Sequence, residues 1–266
     1  MNDVKNYVVA LVVFFLGSFA GFLVAWSVEN TIARLKADFR NLGTKPGNDS
    51  LFRPDQIHIN SFFKRKKPEG SDRRLPGLKG IVTVVLSGIL ACVLFEKFGC
   101  TPTFAVYLIF FLGLIAIFRV DAETMVIPDS ISLTCLVLGF VVSVAGFLPG
   151  IDWKRSLMGI VVAAAILYFP GKIYEYTKGE QGLGGGDVKL LAMIGAFLSV
   201  EGVIFTLFFG ALSGCVVSIP AILTKRSKTS DSVPFGPYLV SSAIIYTVVG
   251  KDLVRRFIEL GPLLLF

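Results

Sequence analysis

Long apolar runs alternate with short polar junctions along this chain, and one extended polar stretch interrupts the pattern early. The first run is Tyr7–Val28. The later ones are about Leu78–Phe95, Thr103–Phe118, Ile131–Leu148, Leu157–Ile173, Val188–Val200, Val203–Leu223 and Tyr238–Val249. Several reach the roughly 17 or more nearly uncharged residues that a bilayer core requires. Val188–Val200 and Tyr238–Val249 are shorter and have soft boundaries. Pro102, Pro128, Pro149, Pro220 and Pro234, with nearby glycines, fit turns or span ends. The pattern predicts an all-α polytopic membrane protein with about eight transmembrane helices.

The same pattern divides the chain into a first transmembrane helix (1–28), a basic loop region (29–77), a seven-helix membrane domain (78–250) and a C-terminal tail (251–266). Tyr7–Val28 is too long for a signal-peptide core and reads as a retained anchor. Its Gly17, Ser18, Ala20 and Gly21 are small enough to let a second helix approach closely. At the start of the polar stretch, Ile32, Leu35 and Phe39 have the spacing of a short amphipathic helix lying on the membrane surface. The rest of that stretch is too poor in apolar residues to bury a large core of its own.

Composition supports the membrane reading: 54% of the 266 residues are hydrophobic and 17% charged. The net charge of +7 raises the question of nucleic acid, but the distribution of the charges answers it differently. Glu29–Lys79 holds twelve Lys and Arg against six Asp and Glu. With eight spans and this loop in the cytoplasm, 19 of the 26 basic residues fall on the cytoplasmic side, so positive-inside topology explains the excess and nucleic acid is not expected. The tail Lys251–Arg256 argues mildly the other way, because three basic residues fall outside. Cys92, Cys100, Cys135 and Cys215 show no CxxC spacing and read as small packing residues. One histidine, His58, excludes a multi-histidine metal site.

This topology brings two acids together. Asp121 falls at the cytoplasmic end of the third span and Asp187 at the cytoplasmic start of the sixth. An ionisable residue at a span is costly and is by default a candidate for function. Two carboxylates sharing a poorly solvated site titrate as a coupled pair, one holding the proton. The ionised partner can take a proton from an attacking water while the protonated partner polarises a peptide carbonyl. Glu123 and Asp129 stand close enough to Asp121 in sequence to be rival bases. Gly184, Gly185 and Gly186, just before Asp187, permit backbone angles closed to other residues and let a substrate strand come near the main chain.

Three segments in this order, DAETMVIPD (Asp121–Asp129), GLGGGDVKLLAMIGAF (Gly182–Phe197) and VPFGPYL (Val233–Leu239), resemble the bacterial type IV prepilin peptidases, GxGD-type aspartic proteases of the inner membrane. The resemblance spans roughly Leu75–Val249, and Gly17–Phe19 looks like the opening motif of that family. It implies that Asp121 and Asp187 are the catalytic pair, supported by Gly184, Gly185, Gly186, Pro128, Asp129, Lys189, Pro234 and Gly236. It also implies leader cleavage of prepilins or pseudopilins at the cytoplasmic face of the inner membrane, after the glycine preceding the mature N-terminus. Proteolysis would need no cofactor. S-adenosylmethionine enters only if methylation of the new N-terminus is retained.

The chain departs from the family in the part tied to methylation. Its first loop lacks the zinc-binding cysteine pairs that many members carry, so zinc is not expected. Gln181 stands where glutamate is frequent, Lys79 follows Arg74–Leu75–Pro76 where a glutamate is common, and Gly17–Phe19 is followed by Ala20–Gly21 without the usual asparagine. The basic run Lys64–Lys67 suits anionic lipid headgroups better than a basic leader. Two other readings stay open at this point. A transporter with an aspartate proton path predicts acids deep in the spans, and a non-catalytic prepilin-binding assembly protein has no need of both aspartates.

Overall fold

The computed structural model describes residues 2–41, 77–179, 184–223 and 234–250. His58, the run Lys64–Lys67, Gln181 and the tail 251–266 lie outside the described residues. Every regular element among those described is helical: α1 Asn2–Asn41, α2 Leu78–Phe98, α3 Pro102–Thr124, α4 Asp129–Val144, α5 Trp153–Lys178, α6 Gly185–Leu223 and α7 Gly236–Ile245, which continues into a π-helical turn, Tyr246–Gly250. Among the described residues, five stretches are long and apolar enough to cross a membrane: Val8–Ala37, Leu78–Phe98, Pro102–Thr124, Trp153–Lys178 and Gly185–Ile219. The helix α4, and α7 with its π-helical turn, are apolar but shorter. The chain is an all-α polytopic membrane protein.

Helix ends follow local chemistry. Pro102 opens α3, where its missing N–H would have had no partner within the helix. The Asp152 side chain caps α5 by accepting from the backbone N–H of Arg155 at 3.0 Å. Gly179 closes that helix in the left-handed region, at φ 71°. The apolar runs Val188–Val200 and Val203–Leu223 form the two arms of α6, separated by a break at Ser199 (φ 61°, ψ −172°). The Ser199 hydroxyl donates to the Glu201 carboxylate beside the break.

The first helix runs well past Val28. Val28, Ile32 and Leu35 continue one apolar stripe at helical spacing, and this stripe packs on Ala116 and Val120 of α3. The stretch expected to lie on the membrane surface is therefore the last part of α1, docked on its neighbour. Further along α1, Gly17 and Gly21 meet Ala91 and Ser87 of α2 so closely that a methyl group on either glycine would clash. The central core is built from α3 and the first arm of α6. Phe110 stacks on Phe197 with ring centroids 4.2 Å apart, and Tyr107, Leu114, Leu190, Met193 and Ile194 are fully buried around them. Cys135 is buried over Gly113, whereas Cys100 and Cys215 are exposed.

Helix direction sorts the described ends into two levels. The end of α1, the start of α2 and the end of α3 share one level, joined by ion pairs from Lys36 and Lys79 to Glu123. The starts of α4 and α6 belong to it through Lys189 and Asp129. The start of α7 joins them at Gly236, which lies against Asp121. At the other level Lys97 donates to the carbonyls of Thr247 and Val248 at 3.0 and 2.8 Å.

Candidate active site

Asp121 sits in the last turn of α3 and Asp187 in the first turn of α6. Packing α3 against the first arm of α6, cemented by Phe110 on Phe197, carries these two turns to the same level. Asp121 is only 4% exposed. Its Oδ2 is buried and finds no hydrogen-bond partner among the described residues. Asp187 is half-buried, and the two carboxylates lie within each other's electrostatic reach. A buried polar group left unpartnered is uncommon and calls for an explanation, of which a catalytic role is one.

The glycines of the GxGD segment have distinct surroundings. The carbonyl of Gly184 accepts from the N–H of Asp187 at 3.0 Å, turning the chain into α6. A Cβ on Gly184 would stand 3.2 Å from Asp187 Oδ2, and one on Gly186 would stand 3.0 Å from Cβ of Ile127. Gly185 faces open space. Gly186 is thus where the turn after α3 rests on the start of α6. Gly236 has the tightest place, since a Cβ there would stand 2.5 Å from Asp121 Oδ2 and 3.0 Å from its Cγ. Pro234 is half-buried just ahead of it.

The neighbouring acids are differently placed. Glu123 pairs with Lys36 at 3.0 Å and Lys79 at 3.2 Å. Asp129 receives Lys189 on both carboxylate oxygens at 2.7 Å. Both are neutralised in ion pairs, whereas among the described residues Asp121 has no cation on its buried oxygen. Pro128 is buried, and its carbonyl accepts from the backbone N–H of Ser132 at 3.1 Å, which starts α4 with Asp129 in its first turn.

Arg119 is a residue that motif reading does not single out. It is 9% exposed, donates to Glu29 at 2.9 Å and to the hydroxyl of Thr83 at 3.1 Å, and lies 3.7 Å from Glu123. It joins α1, α2 and α3 two residues before Asp121, on another face of α3. The sequence carried a faint signal for it: an arginine and a glutamate at i,i+4 in the final turns of an apolar span. Among the described residues, no three His, Cys, Asp or Glu side chains group as a metal site.

Known proteins resemble this chain over the part that holds the two aspartates. Residues 108–219, which include both aspartates, match the Type IV leader peptidase family. The chain is 28% identical over 187 residues to the prepilin leader peptidase/N-methyltransferase of Pseudomonas aeruginosa, covering 70% of this chain and 62% of that relative. The protein of the same name from Neisseria gonorrhoeae is 30% identical over 177 residues, 66% of this chain and 59% of its own length. That from Xanthomonas campestris pv. campestris is 29% identical over 151 residues, 56% of this chain and 52% of its own. The chain thus spans about three fifths of the length of the first two of these relatives. No solved structure matches it at a comparable significance.

Proposed function

From this kinship with the type IV leader peptidases, we propose that the chain is a membrane aspartic endopeptidase that removes leader peptides from type IV prepilins or type II secretion pseudopilins. The carrying observation is the Asp121 carboxylate, with one oxygen buried and unpartnered, set within electrostatic reach of Asp187 on another helix. Such a pair acts as base and acid together. The ionised carboxylate takes a proton from water as its oxygen attacks the scissile carbonyl carbon. The protonated carboxyl gives its proton to the carbonyl oxygen, forming a neutral tetrahedral intermediate. Protonation of the amide nitrogen and loss of the hydroxyl proton then free an amine and a carboxylic acid. Gly236, lacking a side chain, lets the start of α7 lie directly against the Asp121 carboxylate.

The proposed cut follows the glycine before the mature N-terminus, at the cytoplasmic face of the inner membrane. Support for that face comes from the charges at the aspartate level, where Lys36, Lys79, Arg119 and Lys189 are all found. Methyl transfer is not part of the proposed activity, although the relatives' names include an N-methyltransferase. Lys79, standing where a glutamate is common, is turned to Glu123 at 3.2 Å. That position offers a cation, not a carboxylate, to a sulfonium cofactor such as S-adenosylmethionine.

The test is to incubate membranes containing this chain with a candidate prepilin and to read leader removal and N-terminal mass together. A shortened pilin with the expected N-terminus and no added methyl is the expected product. Absence of cleavage across a panel of prepilins and pseudopilins would overturn the proposal.

A further inference from the structure

Both candidate aspartates belong to one packed unit, and the helix that lies on Asp121 is carried by another. Asp187 heads the first arm of α6, in which residues 190–199 are all buried. Phe110 on Phe197 joins that arm to α3, which carries Asp121, and Gly139 of α4 and Gly159 of α5 lie directly against it. The second arm is held differently. Its Gly202, Gly210 and Gly214 face Tyr246, Leu239 and Tyr238 of α7 and its π-helical turn. On its other side Ile204, Phe208, Leu212 and Val216 form a stripe at helical spacing that is exposed among the described residues.

Asp121 Oδ2 is buried, and the start of α7 lies so close that a Cβ on Gly236 would stand 2.5 Å from it. A peptide cannot reach that oxygen until the start of α7 withdraws. The features that permit such a movement lie at the opposite level. Ser199 holds φ 61° and ψ −172°, a region open to glycine and costly for serine, and its hydroxyl is tied to Glu201. Level with this break, Tyr246 rests on Gly202 and Phe205 and begins the π-helical turn, a form of helix frequent at functional sites. Lys97 fixes the far end of α7 through the carbonyls of Thr247 and Val248. Along its length α7 is not gripped on every side, because Val240, Ser241 and Ile244 border an open cleft of about 460 Å³ towards α2 and α3.

Resting on the peptidase reading, we propose that α7 and the second arm of α6 form a lid, hinged at Ser199 and at the π-helical turn, which is closed over Asp121 in this structure and opens to admit the prepilin segment. Ser199 is strained in the closed form and relaxes in the open one, so this residue sets the balance between the two. Gly236 is ten residues from Tyr246, about 15 Å along the helix, and a tilt of about 15° at the far end carries it about 4 Å from the carboxylate. The aspartates themselves stay in place on α3 and the first arm.

The experiment uses the full chain in membranes with a prepilin that it cleaves. Nitroxide labels, attached through an unnatural amino acid that spares the native cysteines, replace the exposed Val137 on α4 and Val216 on the second arm in an Asp187→Asn background. Val216 is 17 residues beyond Ser199, so the same tilt moves it about 6 Å, and pulsed electron paramagnetic resonance should show a population displaced by that much which grows when prepilin is added. Two variants of otherwise unaltered protein then test the hinge in opposite directions. Ser199→Gly removes the strain of the closed form, favours closure and raises KM about fivefold with kcat kept. Ser199→Ala keeps the strain, loses the bond to Glu201, favours opening and lowers KM about threefold. A merely structural defect would move both the same way. One unshifted distance with and without prepilin, or KM values that move together or stay put, refutes the lid and leaves the peptidase reading standing. Failure of the unaltered chain to cleave any prepilin refutes both.

Discussion

Lys189 donates to both carboxylate oxygens of Asp129 at 2.7 Å, tying the start of α6 to the start of α4. Asp129 follows Asp121 by eight residues and Lys189 follows Asp187 by two, so this pair spans the two strands of chain that carry the candidate dyad. Ile127 against Gly186 makes a second contact between the same two segments. Both charged side chains are more than a third exposed, at 39% and 38%, so the pair contributes at most about 1 kcal/mol to stability. Its importance is geometric. Lys189→Met should lower cleavage by roughly tenfold to a hundredfold, because a displacement of about 1 Å at a reacting group costs that much. Stability in detergent should move little. Exchanging the charges, Asp129→Lys with Lys189→Asp, should restore part of the rate, and a double variant slower than either single change would refute the clasp.

Asp121→Asn and Asp187→Asn, made separately, should each reduce leader cleavage by at least about a hundredfold, since each removes one member of an acid–base pair. The proteins should accumulate in the membrane, because asparagine keeps the size of the side chain and removes a buried charge rather than adding one. Cleavage rate per folded molecule is the measurement. Near-normal turnover in either variant would end the two-aspartate mechanism.

Gly236→Ala tests how closely α7 abuts the site. The added Cβ would stand 2.5 Å from Asp121 Oδ2, so either the carboxylate or the start of α7 must shift. A loss in kcat of about a hundredfold is expected, with little change in melting temperature. A variant of ordinary activity would mean that Gly236 does not constrain Asp121.

Gly159 and Gly195 let α5 and the first arm of α6 cross with backbone touching backbone, each lying against the carbonyl of the other. Gly195→Val forces these helices apart and should destabilise the protein by about 1–3 kcal/mol, the usual cost of overpacking. Thermal unfolding in detergent checks this, and an unshifted melting temperature would contradict the close crossing.

Topology gives a separate check. Cysteine accessibility should place positions near Lys66, Glu123, Lys178 and Lys228 in the cytoplasm and Glu96, Asp152 and Glu201 on the opposite side. If Glu123 and Lys178 labelled from opposite sides, the shared level of Asp121 and Asp187 would be lost, and the proposed site with it.

By itself, the sequence determined the helical membrane architecture and the aspartate-bearing motifs. Span length is a one-dimensional criterion, and an apolar run long enough for hydrocarbon is legible wherever it falls. It also placed Asp121 and Asp187 at span boundaries, since an acid beside an apolar run stands out in any window. Without the family resemblance, the residues alone left Asp121 level with Glu123 and Asp129, and the tertiary structure sets it apart. Along the chain the three are close neighbours, but the cations that neutralise Glu123 and Asp129 come from α1, α2 and α6, at distances in sequence that no local pattern encodes. The extension of α1 onto α3 was hidden for the same reason. Ile32 and Leu35 have the spacing of a surface helix, and only Ala116 and Val120 across from them decide that Ile32 is buried and Leu35 partly buried against protein. Arg119 shows the limit most clearly: its charge is visible in sequence, but its partners Glu29 and Thr83 reach it only once three helices have met.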